Sequence, residues 1–211
     1  MTEKETNDGS RPSDINGNPG RPTGQDGVRM LERMNRSHAP IRAFGFSHLT
    51  WEPGLRILDV GCGGGQTIAE MLELAPESKI TGVDYSEVSV RSTLEHNSRA
   101  LGKRLDVVRG DVQDLPFEGD QFDLVTGVET VYFWPDVRKG VREILRVLKP
   151  GGRIALMNET DDPDPEGWPD FPGFFRIYTA GELRQILSEE GFREVETFQS
   201  GEGFLFATGI K

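Results

Sequence analysis

The sequence predicts one α/β domain in which helices cover both faces of a mostly parallel sheet. From residue 56 onward, short β-branched segments alternate with longer amphipathic ones, a rhythm typical of parallel strands joined by helices. The chain has 211 residues, of which 35% are hydrophobic, which suits one core with some peripheral chain. The last two strand-like segments are separated only by a turn, which predicts a closing antiparallel hairpin.

Seven segments have the composition of strands. The first five alternate with helical patterns and are therefore expected to run parallel, whereas the last two flank the turn-like segment Gln199–Glu202. The predicted strands are Arg56–Val60, Lys79–Val83, Leu105–Arg109, Phe122–Thr126, Arg153–Met157, Arg193–Phe198 and Gly203–Thr208.

Two helices near the C-terminus have well-marked ends. The first spans Val137–Leu148, where apolar side chains recur on one face, and a Pro-Gly-Gly run follows it. The second covers residues 180–190: it begins after the capping-box pair Thr179 and Glu182 and stops at a glycine. Between the third and fourth strands, residues 110–121 are too few for a helix with two loops, which predicts a loop across the carboxyl edge of the sheet.

Two other segments differ from the alternating pattern. Residues 1–27 are polar and rich in Gly and Pro, which predicts a flexible tail, and residues 28–53 have enough apolar side chains for a docked helical arm. Residues 158–178 form a long acidic connection that, with the arm, is expected to make a lid over a site. The aromatic residues in that connection are Trp168, Phe171, Phe174, Phe175 and Tyr178.

Charge and cysteine content exclude several classes of protein. The chain has 24 Lys plus Arg against 35 Asp plus Glu, a formal charge of −11, so nucleic acid is an unfavourable partner. Cys62 is the only cysteine, which excludes an intrachain disulfide and a cysteine-rich metal site, and we predict no metal. No apolar segment is long enough to cross a membrane. We expect a soluble cytoplasmic protein without a membrane partner, either a monomer or a homodimer.

A glycine-rich loop follows the first predicted strand. Positions 61 to 65 contain four glycines, and Cys62 is the only other residue. Left-handed backbone costs a residue with a side chain roughly 1–2 kcal/mol, and a Cβ would hold a ligand away from the main chain. A plain tight turn would need only one or two glycines. The loop therefore predicts close approach of a ligand at the carboxyl end of the strand.

An acidic residue, Asp84, ends the second predicted strand 23 positions after Gly61. A carboxylate there can accept both hydroxyls of a ribose; the alternative is an ordinary helix-start acid, since Ser86 can cap the helix that follows. A dinucleotide fingerprint would need glycine at position 66, where Gln66 stands, and there is no Gly-Lys-Ser/Thr run for phosphates. The loop better suits an adenosine that carries an amino acid, and a nicotinamide dehydrogenase ranks behind that reading.

These motifs, in this order and spacing, resemble the class I S-adenosylmethionine-dependent methyltransferases of the small-molecule type. The resemblance covers about residues 54–209. It implies a Rossmann-like doubly wound sheet of order 3-2-1-4-5-7-6 with strand 7 antiparallel, a methyltransferase domain over residues 54–211 and S-adenosyl-L-methionine as the cofactor. The matching motifs are Asp59-x-Gly61-x-Gly63-x-Gly65, Asp84, Gly110–Phe117, Phe122–Val125 and Leu145–Gly152.

The resemblance also implies cofactor-binding residues. Glycines 61, 63 and 65 would pass under the methionine and ribose portions, Asp59 would lie near the amino group, and Asp84, next to Tyr85, would bind the ribose hydroxyls. Asp111 would accept from the adenine amino group, although it can equally be a turn acid, and the Val112 main chain would serve the neighbouring ring nitrogen. The predicted set is Asp59, Gly61, Gly63, Gly65, Asp84, Tyr85, Asp111 and Val112.

The acceptor side is less determined. Methyl transfer from a sulfonium is a direct displacement that needs alignment, and a general base is needed only when the acceptor loses a proton of high pKa. We expect at least one ring of the run from Tyr132 to Trp134 to line the cleft beside the sulfonium; the alternative is that these rings pack the next helix. Glu129 is a base or anchor, or else a solvated helix-start acid. The acceptor-side candidates are Glu129, Tyr132, Trp134, His38 and His48, the two histidines being alternatively surface or cap residues.

Two functions follow from these patterns. The first is S-adenosylmethionine-dependent methyl transfer to a small-molecule acceptor. The second is a cofactor-binding but non-catalytic or regulatory subunit of the same fold, in which the arm and lid bind a protein partner. Binding of the cofactor is common to both, so only transfer to an acceptor separates them.

Overall fold

The centre of the fold is a seven-stranded mixed sheet. The computed structural model describes residues 18–166, 171 and 173–211. The strands pair in the order β3-β2-β1-β4-β5-β7-β6, and β7 is antiparallel to both neighbours, which confirms the predicted order. The strands are β1 (Arg56–Val60), β2 (Lys79–Asp84), β3 (Leu105–Arg109), β4 (Phe122–Val128), β5 (Leu148–Asn158), β6 (Arg193–Gln199) and β7 (Leu205–Ile210).

Helices cover both faces of this sheet. The apolar side chains of α2 and α3 share one core with the sheet, and those of α5 and α6 share the other. Among the described residues, no helix has both the length and the apolar composition that crossing a membrane would require. The helices are α1 (Gly24–Ser37), α2 (Ala39–Ser47), α3 (Gln66–Leu74), α4 (Glu87–His96), α5 (Val137–Val147) and α6 (Ala180–Glu189), with a 3₁₀ turn at Val131–Phe133.

The observed boundaries differ from the predicted ones where side chains or glycines interrupt the pattern. β5 begins at Leu148, before the Pro-Gly-Gly run, because the chain bulges between its pairing with Phe122 and its pairing with Leu124. β7 begins two residues later than predicted. The Ser200 hydroxyl accepts N–H groups of residues 202 and 204 and so lengthens the turn.

The connection between β3 and β4 is a loop, as predicted. It is held to α5 by side chains of that helix: Glu143 accepts the N–H of Leu115, and Arg146 donates to the carbonyls of Leu115 and Phe117. Because these hydrogen bonds satisfy the main chain, the loop keeps one conformation at the carboxyl edge of the sheet without a helix of its own.

The N-terminal arm is helical and begins earlier than predicted. α1 starts at Gly24, inside the segment predicted as a flexible tail, and residues 18–22 lie against the body of the fold. The carbonyl of Pro22 accepts a hydrogen bond from the Ser86 hydroxyl at 2.6 Å. A Cβ at Gly20 would come within 2.6 Å of the Phe133 ring. Composition gave no sign of this docking because it uses a backbone carbonyl and a missing side chain. Residues 1–17 of the predicted tail lie outside the described residues.

A buried arginine holds the arm in place. The Arg42 side chain, 3% exposed, donates from Nε and Nη2 to the carboxylate of Glu70 on α3 at 3.0 and 2.9 Å. Nη2 also donates to the carbonyl of Asn35 on α1. One guanidinium therefore joins α1, α2 and α3, and its charge is paired where water does not reach it.

Replacing this guanidinium tests its contribution. Arg42→Met is expected to lower the free energy of unfolding by roughly 2 kcal/mol, because Glu70 and the Asn35 carbonyl lose a donor that solvent only partly replaces. The measurement is urea denaturation. The matched control is Arg29→Met, whose exposed ion pair with Asp26 should be worth less than about 0.5 kcal/mol. Equal losses in both variants would contradict the role given to Arg42.

Candidate functional site

A cavity of about 410 Å³ opens at the carboxyl ends of β1, β2 and β4. Ligands of open α/β sheets bind at this edge, and ligand pockets commonly measure about 300–1,000 Å³. The described lining residues come from the strap over residues 18–22, α1, the glycine loop, the ends of β2 and β4, the loop after β3 and the segment after β5. They are residues 18–22, Leu31, Met34, Val60, Gly61, Gly63, residues 83–85, Ser89, residues 110–113, residues 128–130, residues 133–135 and Phe174.

The glycine loop lacks side chains at Gly61, Gly63 and Gly65, and the structural reason is different at each of these positions. Gly61 has φ of +71°, and a Cβ there would overlap the Thr130 hydroxyl. Gly63 has φ of +52° and lines the cavity, and its Cβ would meet nothing closer than Leu31 at 3.6 Å. Gly65 does not line the cavity: a Cβ there would come within 2.9 Å of the Thr93 backbone on α4. The first two positions therefore shape the cavity, and Gly65 lets two helices approach.

Asp84 presents a carboxylate to the cavity. Its Oδ2 accepts the N–H of Gly63 at 3.0 Å, and its Oδ1 accepts the N–H of Ser86 at 2.8 Å. Ser86 is the N-cap of α4, as the helix-start alternative expected, and Asp84 both precedes that helix and lines the cavity. Within the described part of the chain, no cation forms an ion pair with it, and burial raises the pKa of its carboxyl. These features suit an acceptor for ligand hydroxyls, which is the chemistry a ribose offers.

The loop after β3 forms a neighbouring wall. Asp111 Oδ1 accepts the N–H of Gln113 at 2.8 Å, which is the turn role that the sequence left open, and the residue also lines the cavity. Val112 lies beside it on the same wall and packs against α5, where a Cβ at Gly140 would be 3.4 Å from its side chain. A flat apolar group could lie along this wall with main-chain groups at its edge.

The rim beside Asp84 is aromatic and cationic. Tyr85 is 47% exposed, and the guanidinium carbon of Arg21 lies 5.0 Å from its ring centroid, within the range of a cation–π contact. The guanidinium carbon of Arg109, on β3, lies 6.0 Å from the centroid of the same ring. Sequence reasoning missed Arg21 because it assigned residues 1–27 to the tail, and no local pattern marks the contact.

Asp59 lies beneath the glycine loop and does not line the cavity. Its Oδ1 accepts the Thr126 hydroxyl at 2.7 Å. Burial raises the pKa of this carboxyl to about 7, and the neighbouring Asp84 carboxylate raises it further against the lowering by the Thr126 hydrogen bond. The structure therefore separates Asp59, like Gly65, from the other six predicted cofactor residues, all of which line the cavity.

Glu129 is buried at the opposite wall. The residue is 8% exposed and has a left-handed backbone with φ of +57°. Burial, reinforced by the Glu159 carboxylate, raises the pKa of its carboxyl to about 8. The alternative of a solvated helix-start acid is therefore wrong, because the end of β4 turns inward under the segment that follows β5.

The aromatic run after Glu129 divides between cavity and core. Phe133 and Trp134 line the cavity, and Trp134 Nε1 donates to the Thr130 hydroxyl at 3.2 Å. Tyr132 does not line it: its ring packs 5.6 Å from that of Phe175. Tyr132 is 2% exposed and belongs to the core that α5 and α6 share with the sheet. The Trp134 ring also packs on the next helix, as the alternative expected, because a Cβ at Gly140 of α5 would lie 3.0 Å from it. Trp168 lies outside the described residues.

Neither histidine candidate reaches the cavity. His38 is half-buried at the junction of α1 and α2, where burial and then Arg42 and Arg33 lower its pKa to about 4. His48 stacks on Phe198 and Phe206, with centroids 4.4 and 5.2 Å apart. His38 is the C-cap residue of α1 and the N-cap residue of α2, and His48 is the C-cap residue of α2. Both therefore match the alternative of cap residues and not the acceptor side. Across residues 18–166, 171 and 173–211, no group of three or more His, Cys, Asp or Glu side chains is placed to hold a metal ion.

Comparison with known proteins gives consistent results. A family model described as a methyltransferase domain matches residues 58–156. A demethylmenaquinone methyltransferase of Listeria monocytogenes serotype 4a (strain HCC23) is 35% identical over 155 residues, which cover 69% of this chain and 64% of that protein. An O-methyltransferase of Pyrenophora dematioidea is 31% identical over 153 residues, covering 68% of this chain and 56% of that protein. The chain thus spans less than two thirds of the length of these relatives.

A solved structure agrees at the level of the fold. The crystal structure of a SAM-dependent methyltransferase from Aquifex aeolicus superposes with a TM-score of 0.73 at 18% identity, covering 86% of this chain and 97% of that one.

The raised pKa of Asp59 makes stability depend on pH. Its folded pKa of about 7 lies above its ordinary value of 3.8, so the carboxyl is held protonated where the unfolded chain would ionise. The contribution of the Asp59 carboxyl to the free energy of unfolding is therefore fully present below about pH 4 and is lost as the pH rises to 7. Asp59→Asn keeps an acceptor for Thr126 and does not titrate. Its melting temperature should therefore rise relative to wild type by several °C as pH increases from 4 to 7, since each unit of pKa shift corresponds to about 1.4 kcal/mol. Thermal unfolding at several pH values measures this, and a constant difference would contradict it.

Proposed function

Because the chain belongs to the class I S-adenosylmethionine-dependent methyltransferases, we propose that it transfers a methyl group from S-adenosylmethionine to a small-molecule acceptor. The observation that carries this proposal is one continuous cavity. On one side it is bounded by bare glycines and the Asp84 carboxylate, which forms no ion pair with the described residues, and on the other by Glu129, Phe133 and Trp134. A methyltransferase site must bind the cofactor and the acceptor next to each other, so it needs one wall for each of them.

The residues of the first wall fit the cofactor, which supplies an electrophilic methyl group on a sulfonium sulfur when it is bound. The main chain at Gly61 and Gly63 would lie under its methionine and ribose portions. Asp84 would accept the ribose hydroxyls, and the loop at Asp111 and Val112 would border the adenine. Asp59 would not contact the cofactor directly, since its side chain does not reach the cavity.

The second wall fits a partly apolar acceptor. Phe133, Trp134 and Phe174 line the cavity, and the Phe133 ring lies 5.5 Å from that of Phe175. Such a wall excludes water and orients a flat molecule by contact with its faces. Two relatives are named for a demethylmenaquinone and an O-methyl transfer reaction, and their names support the small-molecule class of acceptor for this chain.

The alternative is a cofactor-binding subunit that does not catalyse transfer. Calorimetry with S-adenosylhomocysteine tests the binding that both functions share. A labelled-methyl assay over a panel of metabolites then separates them, because the alternative gives binding without labelled product. The buried acid at the acceptor wall favours the enzyme, since a subunit that only binds cofactor has no need of a desolvated carboxyl there.

Asp84 is expected to be the main determinant of cofactor affinity. Asp84→Asn should weaken binding of S-adenosylhomocysteine by about 10- to 100-fold in calorimetry, because a hydrogen bond to a charged acceptor is lost. The control is Asp106→Asn, an exposed acid on the neighbouring strand β3 that lies outside the cavity. If both variants bound like wild type, the ribose site would be misplaced.

Arg21 is expected to help close the cofactor end. Arg21→Ala removes the guanidinium over Tyr85 and should weaken S-adenosylhomocysteine about 3- to 10-fold, a magnitude typical of one exposed cation–π contact. Arg29→Ala, on the exposed face of α1, is the matched control and should leave affinity within about 2-fold. Equal affinity of wild type and Arg21→Ala would remove the strap of residues 18–22 from the binding site.

A further inference from the structure

Glu129 has a backbone conformation that residues with a side chain rarely adopt. It has φ of +57° although it carries a side chain, and it is almost fully buried at the end of β4. Its N–H donates to the carbonyl of Met157 at 2.9 Å, which fixes the backbone across the β4–β5 pair. Left-handed backbone is unfavourable for a residue with a side chain, because the Cβ crowds the following carbonyl oxygen. Strained positions of this kind cluster at functional sites, and this one lines the cavity.

The two oxygens of Glu129 have different surroundings. Oε1 accepts the N–H of Glu159 and the hydroxyl of Tyr132, the latter at 3.3 Å. Oε2 accepts no hydrogen bond from the described part of the chain, and the residue borders the cavity. One oxygen therefore fixes the orientation of the carboxyl group while the other remains able to take a proton from a ligand.

The charges around Glu129 leave it without a cationic partner. The titratable groups that face it are Glu159 and Tyr132, and Arg33 of α1 acts on Glu159. No ion pair to Glu129 occurs among residues 18–166, 171 and 173–211. A carboxylate that no arginine or lysine neutralises keeps its basicity, whereas a salt-bridged one would lose it.

We propose that Glu129 is the general base of the reaction and that the acceptor is a hydroxyarene. This inference rests on the proposed function, and it names the substrate class. Glu129 lines the same cavity as Phe133, Trp134 and Phe174. A flat ring held against these aromatic residues would place a phenolic hydroxyl on the side of the cavity that Glu129 borders.

The atoms and charges of the methyl transfer balance with the phenolic hydroxyl as nucleophile and the Glu129 carboxylate as proton acceptor. The phenolic oxygen forms a bond to the methyl carbon while the bond between that carbon and sulfur breaks, and its electron pair stays on sulfur. The phenolic proton passes to Glu129 Oε2, so a neutral aryl methyl ether and a neutral thioether leave. Glu129 then returns its proton to water. The pKa of about 8 makes this carboxylate a stronger base than an ordinary glutamate and makes the rate rise with pH through that value.

The kinetic test uses matched acceptors. Wild type and Glu129→Gln are assayed with S-adenosylmethionine and either 2-naphthol or 2-naphthalenethiol, in which the same ring carries a group already mostly ionised at pH 8. Gln keeps an oxygen for the two donors at Oε1. For 2-naphthol, Glu129→Gln should lose about 100- to 10,000-fold in kcat with little change in KM, and the rise with pH should disappear. For the thiol, the kcat values of wild type and Glu129→Gln should agree within about 3-fold.

A second measurement does not depend on turnover. Because the folded pKa of Glu129 exceeds its ordinary value of 4.5, wild type should lose melting temperature relative to Glu129→Gln as pH rises from 5 to 8. Glu159→Gln is the control: it removes a neighbouring negative charge but keeps the base, so it should shift the pH profile to lower pH without abolishing it. The proposal is overturned if Glu159→Gln abolishes the dependence of melting temperature on pH. It is also overturned if Glu129→Gln leaves that dependence intact.

The remaining outcomes are also decisive. If S-adenosylhomocysteine binds in calorimetry but wild type methylates none of phenol, catechol and 2-naphthol, the hydroxyarene assignment is wrong while cofactor binding stands. If S-adenosylhomocysteine does not bind, the proposed function itself fails. If Glu129→Gln does not fold, Glu129→Asp replaces it: shortening the side chain withdraws the carboxylate from the acceptor, so a loss of kcat that exceeds any loss of stability supports the base.

Discussion

The absence of a side chain at Gly61 is the constraint on which the site depends. A Cβ there would overlap the hydroxyl of Thr130, and Thr130 in turn accepts the Trp134 indole N–H. The loop after β1 and the segment after β4 are thus in direct contact, and the aromatic wall is fixed against the glycine loop. Two ligands that must meet in line need walls whose separation does not vary, and this contact sets the separation.

Buried carboxyl groups surround the same point. Burial raises the pKa of Asp59 beneath the loop, of Asp84 at its side and of Glu129 at the opposite wall. Each costs stability when it ionises in the folded protein, and none of the three has a cationic partner in the described chain. A positively charged ligand would offset that cost. The sulfonium cofactor has such a charge and its thioether product does not, so this arrangement would favour the cofactor over the product on electrostatic grounds.

The sequence was most informative where local chemistry decides the structure. Strand order, the antiparallel hairpin, the helix capped by Thr179 and the cavity positions of Gly61, Gly63 and Asp84 all follow from motifs or turn residues. It failed where contacts join distant segments. Pro22 docks through a carbonyl and Glu129 is buried by the chain after β5, neither of which leaves a periodic signal. For His38 and His48 the cap alternative holds, since both stand at ends of helices and neither lines the cavity.

The arm links these parts mechanically. Asn35 donates from Nδ2 to the carbonyl of Gly64 at 3.1 Å, while its main-chain carbonyl accepts from Arg42, which is paired with Glu70 in the middle of α3. The same helix α1 supplies Leu31 and Met34 to the cavity. A movement of the glycine loop would therefore strain both the Asn35 contact and the buried ion pair, and an arm that is anchored in this way stabilises the loop in the conformation that leaves the cavity open at the main chain. The arm therefore forms part of the cavity wall.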